Sequence, residues 1–342
     1  MEIYVMKKKF VLTLALVLMV AASLMAATPL EVSGAFKTGY TFTFASGANG
    51  VKGSAKGTEG DIDALVAFTG DFWKVTLDAG PVAYDQAMAA TANIYLDKAL
   101  AAEGVDMGDL AVTLTIGNKA DLGGLSVYSN SRDKIEGLKM NSKVADAYAS
   151  AVQVDYGTMV SVYAGADIAA FDTAKKAMVL SAKTAPVDGI KAAVAYTNYD
   201  DRDVAGKGSI AGSVAVDVKA LADLDFGLTV SAYDVYLMGD KKNKLYVEAK
   251  TVIEDITAWA EYRILDKQND LYAKVSYAGI KNVGLSAFVQ LDDITDSLGA
   301  GLKTTVGGGA TYKLGGVTYA ADASYAVATK TFTLTPTVKI VF

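Results

Sequence analysis

Three kinds of residue cluster in this chain have the types and spacing for chemistry. The first is a pair of acidic stretches, "NYDDRD" with Asp200, Asp201 and Asp203, and "LDDITDS" with Asp292, Asp293 and Asp296. Close carboxylates are the oxygen ligands that a hard cation such as calcium takes. Neither stretch has the spacing of an EF-hand loop, and solvated loops are the plainer reading. The second is "SRDKIEGLKMNSKVADAYAS" (131–150), where Arg132, Asp133, Lys134, Glu136, Lys139 and Lys143 put both signs of charge on one short segment. The third is a scatter of single ionisable residues in the middle of alternating segments: Lys37, Asp61, Asp63, Lys74, Asp217, Glu248, Lys250, Glu261, Arg263 and Lys274. Catalysis is poorly supplied, because the 342-residue chain has no histidine and no cysteine. The commonest general base and metal ligand are missing, as are thiolates and disulfides. A serine–lysine pair remains as a nucleophilic device, but no spacing singles one out. No catalytic residue, metal or cofactor is expected.

What would position the scattered charges is a period of two. After a short leader the chain reads "EVSGAFKTGYTFTF", with Val32, Gly34, Phe36, Thr38, Tyr40, Phe42 and Phe44 on one face and Glu31, Ser33, Lys37 and Thr41 on the other. That is a strand with one apolar face. The pattern recurs to the end. In 255–265, Ile256, Ala258, Ala260, Tyr262 and Ile264 oppose Thr257, Trp259, Glu261 and Arg263; in 269–279, Leu271, Ala273, Val275 and Tyr277 oppose Tyr272, Lys274 and Ser276. Eighteen such segments are legible: 31–44, 60–69, 72–82, 110–117, 123–130, 150–157, 159–168, 176–184, 188–199, 208–219, 224–237, 243–253, 255–265, 269–279, 282–291, 299–314, 317–327 and 331–342. Those in 110–157 are weakest, so sixteen is the other count. The connections after even-numbered segments are short and rich in Gly, Asp, Asn and Pro. Those after odd-numbered ones are often longer, notably 45–59, 83–109 and 131–149. The stretch 86–104 reads equally as a small helix, an extra strand pair around Ile94 and Leu96, or a loop that latches onto a neighbouring subunit.

The first 27 residues are of another kind. Lys7, Lys8 and Lys9 precede an apolar run from Phe10 to Leu24, followed by "LMAATP". This is the plan of a secretory signal peptide, with residues 28–342 as the mature domain. Charged residues make up 20% of the chain and apolar ones 52%, at a formal net charge of −6. An acidic balance excludes nucleic acid as a natural partner, because phosphate binding needs a basic face.

The two faces of the segments differ sharply. One carries acids and bases of both signs in mid-segment; the other is nearly free of charge, with Asp234 the clear exception. A soluble β protein also alternates, but its apolar faces need a cover, and no suitable helical segments are present. In hydrocarbon, an open sheet edge leaves backbone groups without partners at a cost of several kcal/mol each. A closed barrel with apolar rows toward lipid removes the edges. Pro336 sits in the middle of the last segment and cannot donate to a ladder, so a bulge or a missing bond toward one neighbour is expected there.

The closing segment "FTLTPTVKIVF", ending on Phe342, resembles the last strand of bacterial outer-membrane porins, and the resemblance extends over essentially the whole mature length. It implies an all-β transmembrane antiparallel up-and-down barrel of 16–18 strands with both termini periplasmic. It implies that Phe342 is read by the barrel-assembly machinery, that the surroundings are outer-membrane lipid, and it allows a homotrimer. Porins often fold their third outer loop into the channel, so Arg132, Asp133, Lys134, Glu136, Lys139 and Lys143 would set the charge of a constriction; an exposed loop outside the pore is the alternative. Outer-membrane barrel enzymes resemble one another in using histidine, which is absent here, so an enzyme is not expected. The reading is a passive channel for small hydrophilic solutes, with a weak cation preference from the acidic balance. A structural or adhesin-type surface protein and a sugar-selective uptake channel are the alternatives. The last would be marked by an aromatic track, and Trp259, Tyr246 and Tyr272 share the polar face on adjacent segments.

Overall fold

The period of two becomes eighteen antiparallel strands joined in one closed sheet. The structure, a computed structural model, describes residues 30–47, 50–79, 89–118, 148–167, 178–199, 205–265, 268–294 and 303–341. The strands are β1 (Leu30–Gly47), β2 (Gly50–Thr69), β3 (Trp73–Ala79), β4 (Ala89–Tyr95), β5 (Leu110–Asn118), β6 (Tyr148–Tyr156), β7 (Val160–Asp167), β8 (Met178–Val187), β9 (Ile190–Tyr199), β10 (Ala205–Asp217), β11 (Gly227–Leu237), β12 (Lys242–Ile253), β13 (Ile256–Leu265), β14 (Gln268–Ile280), β15 (Val283–Asp292), β16 (Lys303–Leu314), β17 (Val317–Ala326) and β18 (Thr331–Val341). Two short helices follow β4 and β10: α1 (Leu96–Ala102) and α2 (Val218–Ala222).

Each strand pairs with its successor, and β18 returns to β1, from Ala35 opposite Val341 to Ala45 opposite Thr331. The fold is therefore an up-and-down barrel without a free edge, and an even strand count brings the start of β1 and the end of β18 to the same rim. The connections on that rim are short where two strands turn directly, as at 188–189, 254–255, 281–282 and 315–316. Gly189 occupies the left-handed region there, at φ +82°, where a side chain is strained.

Among the described residues the strand count is eighteen, and two connections differ from the sequence reading. Ala89–Tyr95, not counted among the sequence segments, is the fourth strand, so that 110–117 falls in the fifth; the segment 123–130 lies outside the described residues. The stretch 86–104 thus holds a strand and then α1, which places a helix on the rim expected to carry only tight turns; α2 is the second such exception. The expected long connection at 45–59 is instead paired strand out to Gly47 opposite Gly50. Gly, Ser and Lys there give no apolar row, yet the backbones still pair.

The closing seam shows the effect of Pro336. Its β17 side is continuous, with Ala321 opposite Pro336. On the β1 side the pairing skips from Gly39–Thr337 to Phe42–Leu334. The hydroxyls of Thr41 and Thr335 lie 3.3 Å apart across the gap and form a side-chain hydrogen bond there.

Burial separates the two rows of each strand. Val194, Ile210, Val247, Tyr262, Val275 and Val306 are exposed on the outer row, whereas Ala195, Ala211, Tyr233, Val235, Glu261 and Asp270 on the alternate row are buried. The outer row also carries aromatic side chains near both rims. Tyr325, Phe332 and Phe44 are register neighbours across β17, β18 and β1, and Tyr312 faces Tyr319 at the opposite end.

Candidate functional site: the inner wall of β11 to β16

Strand register stacks the inner-row residues into tiers that run around the wall. In one tier Tyr233, Tyr246, Arg263 and Asp270 follow one another across β11 to β14. The next holds Glu248, Glu261, Tyr272, Gln290 and Thr305. The one below holds Lys250, Trp259, Lys274, Phe288 and Gly307. Antiparallel pairing brings these side chains together from residues far apart in sequence.

The charged group in the upper tiers is buried. The Arg263 Nη2 donates to Asp270 Oδ2 at 2.6 Å, and its Nε lies 3.7 Å from Glu261 Oε1. Asp270 Oδ1 accepts from Gln268 Nε2 at 3.1 Å and from the backbone N–H of Asp293 at 2.9 Å. Glu261 is 1% exposed and Asp270 2%, so this bridge sits where water screens it little. Glu248 faces Glu261 in register, and its carboxylate accepts a hydrogen bond from the Trp259 side chain. Two carboxylates are thereby held side by side, one tied to an indole and the other beside a guanidinium.

Below them the wall is aromatic. The Trp259 and Tyr272 rings are 4.9 Å apart at 59°, and Tyr272 stacks on Phe288 at 5.6 Å and 24°. All three rings are only half-buried. Phe288 lies over Gly307: a Cβ there would come within 2.6 Å of two of its ring atoms. Gly309 is covered in the same way by the Asp322 carboxylate. The glycine run 307–309 is thus where inner side chains of β15 and β17 rest on the backbone of β16. Tyr246 does not join this ladder; it packs on Tyr233 at 5.8 Å and is buried. Sequence reasoning missed Phe288, whose signal was its position on the polar row of 282–291, between Ser286 and Gln290.

The remaining sequence candidates are dispersed. Lys37 is opposite Lys339 on β18 and Asp61 on β2, and Asp63 is opposite Ala35. Lys74 is opposite Thr69 and Asn93. Asp217 ends β10 at the rim, where its carboxylate accepts from the backbone N–H groups of Lys219 and Ala220 and caps α2. It is a helix cap rather than a mid-wall charge. Arg132, Asp133, Lys134, Glu136, Lys139, Lys143 and Phe342 lie outside the described residues, as do Asp200, Asp201, Asp203 and Asp296. Asp292 accepts from Gln290 at 2.8 Å, and among the described residues no three carboxylates are grouped to hold a metal. Near the rim of tight turns, a cavity of about 700 Å³ is lined by Lys183, Asp188 and Lys191.

Comparisons with known proteins match the fold and little else. No family model matches this chain, and no curated protein does. Among solved structures, a triple mutant of the Rhodopseudomonas blastica porin superposes with a TM-score of 0.54 at 12% identity, over 92% of this chain and all of that one. Two other mutants of the same porin each give a TM-score of 0.52 at 13% identity with the same coverage. At such low identity the likeness is one of architecture.

Proposed function

We propose that this chain, whose fold is the porin-type barrel, is an outer-membrane channel that passes small hydrophilic solutes by diffusion. The observation that carries the reading is the sorting of side chains on a closed sheet. The outer rows expose Val, Ile, Leu, Tyr and Phe on strand after strand, and the inner rows hold the acids, bases, threonines and serines. An exposed apolar surface of that extent needs a cover, and lipid supplies one to a barrel with aromatic side chains near both rims. A closed sheet of eighteen strands is wide enough to hold water.

On this reading residues 1–27 direct export and 28–342 form the barrel. The shared rim of β1 and β18 is periplasmic, and Phe342 is the residue the assembly machinery recognises. Passage is governed by size and by the charges at the narrowest ring. The wall carries both signs, so selectivity is weak, with a small cation preference from the net acidic balance of the chain. Nothing in the described wall supplies a catalytic set, and a channel accounts for the arrangement without one.

Planar-bilayer recording with purified protein tests the proposal. Stepwise ohmic conductance with a modest cation preference is expected. Protein that inserts but passes no ions, or a channel strongly selective for anions, overturns it.

A further inference from the structure

At the rim shared by the two ends of the chain, three charged side chains from one strand pair line a single cavity. Lys183 on β8, Asp188 in the β8–β9 turn and Lys191 on β9 stand around a space of about 700 Å³, with Thr158, Ser161 and Thr184 beside them. Ser161 and Lys183 are register partners, and Lys183 is opposite Ala193, which is buried on the inner row with Ser181 and Ala195. Lys191 is two residues before Ala193 and shares that row, so the cavity lies on the inner side of the wall. The two lysines are diagonal neighbours, a pairing that sets residues about 7–8 Å apart. None of the side chains of Lys183, Asp188 and Lys191 forms an ion pair with a described residue. Asp155, the next acid in the tier, is opposite Ser161 and accepts from Gln153 Nε2 at 3.0 and 2.9 Å. Two ammonium groups and one carboxylate therefore face one space without neutralising one another, and the complementary ligand carries two carboxylates and one ammonium.

From this arrangement we infer that the cavity is a binding site for short acidic peptides, with Lys183 and Lys191 receiving two carboxylates and Asp188 the terminal ammonium. The volume agrees, since cavities of about 300–1,000 Å³ hold ligands larger than a single amino acid. The backbone adds a place for peptide groups. The β8–β9 ladder pairs Thr184 with Ala192 and Val187 with Ile190 and skips Ala185 and Pro186. A bulge of this kind ends regular pairing beside a site, and the threonine and serine hydroxyls next to it can donate to or accept from a ligand main chain. The apolar lining is aliphatic, with Val187 and Ile190 and no aromatic ring, so nothing there stacks a base or a sugar. The inference names a solute class for the channel and rests on that reading, because a peptide reaches the inner wall through the lumen.

The test is isothermal titration calorimetry on the full-length barrel in detergent with three matched dipeptides. Ala-Glu has two carboxylates and one ammonium, Ala-Gln lacks one carboxylate, and N-acetyl-Ala-Glu lacks the ammonium. Ala-Glu is expected to bind saturably and the other two about tenfold more weakly, the factor for one charged contact of ~1.4 kcal/mol. Lys183→Gln and Lys191→Gln should each weaken Ala-Glu about tenfold and bring it level with Ala-Gln. Asp188→Asn should bring it level with the acetylated peptide. Asp188 and Lys191 are exposed and Lys183 is half-buried, so these variants keep the fold, and retention of the heat-modifiable gel shift verifies it. Absence of saturable heat, equal affinity for the three peptides, inorganic phosphate binding as tightly as Ala-Glu, or indifference to all three substitutions overturns the site. Bilayer recording on the same preparation separates the two failures. Ion conductance without peptide binding removes only the site, and absence of conductance removes the channel.

Discussion

Removing the Asp270 carboxylate should unfold this barrel far more readily than removing any one exposed charge. Asp270 receives three hydrogen bonds, from Arg263 at 2.6 Å, from Gln268 at 3.1 Å and from the Asp293 amide at 2.9 Å. The side chains of the Arg263–Asp270 pair are 10% and 2% exposed, so solvent screening takes away little of the interaction. Asp270→Ala takes the 2.6 Å partner from a buried guanidinium that keeps Glu261 at 3.7 Å, and it removes the acceptor of the Asp293 backbone N–H. Breaking a buried pair from one side costs ~3–5 kcal/mol, against ~0–1 kcal/mol for a surface pair. A loss of about 4 kcal/mol is expected from urea unfolding in lipid vesicles, followed by tryptophan emission. The triple variant Glu261→Gln, Arg263→Met and Asp270→Leu should lose less than Asp270→Ala alone, because it removes the guanidinium together with both carboxylates beside it. A loss below ~1 kcal/mol for Asp270→Ala, or a triple variant worse than the single one, would show that water reaches this tier.

Two further substitutions probe the wall from its two sides. Gly307→Val places a Cβ within 2.6 Å of the Phe288 ring and should cost ~1–3 kcal/mol, read as a lower Tm together with altered near-ultraviolet circular dichroism from the displaced stack; an unchanged spectrum would contradict the packing. Asp234 is an exposed charge on the outer row, opposite Gly212 and Leu245, so Asp234→Leu should stabilise the barrel in vesicles by about 1 kcal/mol, a modest gain because the site is near a strand end; destabilisation would mean that this row does not face lipid.

Most of the barrel was legible because alternation is a local property. Seventeen of the eighteen segments read from the sequence coincide with strands, and the missing bond at Pro336 follows from the absence of an N–H. The stretch that misled is the one where local preference competes with pairing. Ala89–Tyr95 is short and alanine-rich and leads directly into α1, so helix propensity masks a strand that only its neighbours β3 and β5 define. Tertiary pairing also extends β1 and β2 through a glycine-rich stretch with no apolar row. The site was legible only in part. Parity put Trp259, Tyr272, Glu261 and Arg263 on one row, but parity carries no register. Register decides that Tyr246 packs tilted against Tyr233 rather than against Trp259, and that Phe288 completes the ladder above Gly307. Asp217 shared the inner parity as well, and only the helix that follows β10 shows it to be a cap.

Alternate residues of each strand face lipid on one side and a wet interior on the other. The chain contains no cysteine, so single cysteines can be placed at will. The most direct measurement is spin-label accessibility along β14 in reconstituted vesicles, comparing Val275→Cys with Ser276→Cys and Ala273→Cys with Lys274→Cys. Labels at 273 and 275 should relax with dissolved oxygen and ignore a charged nickel chelate, and those at 274 and 276 should do the reverse. A uniform profile along the strand, or the opposite phase, would contradict it.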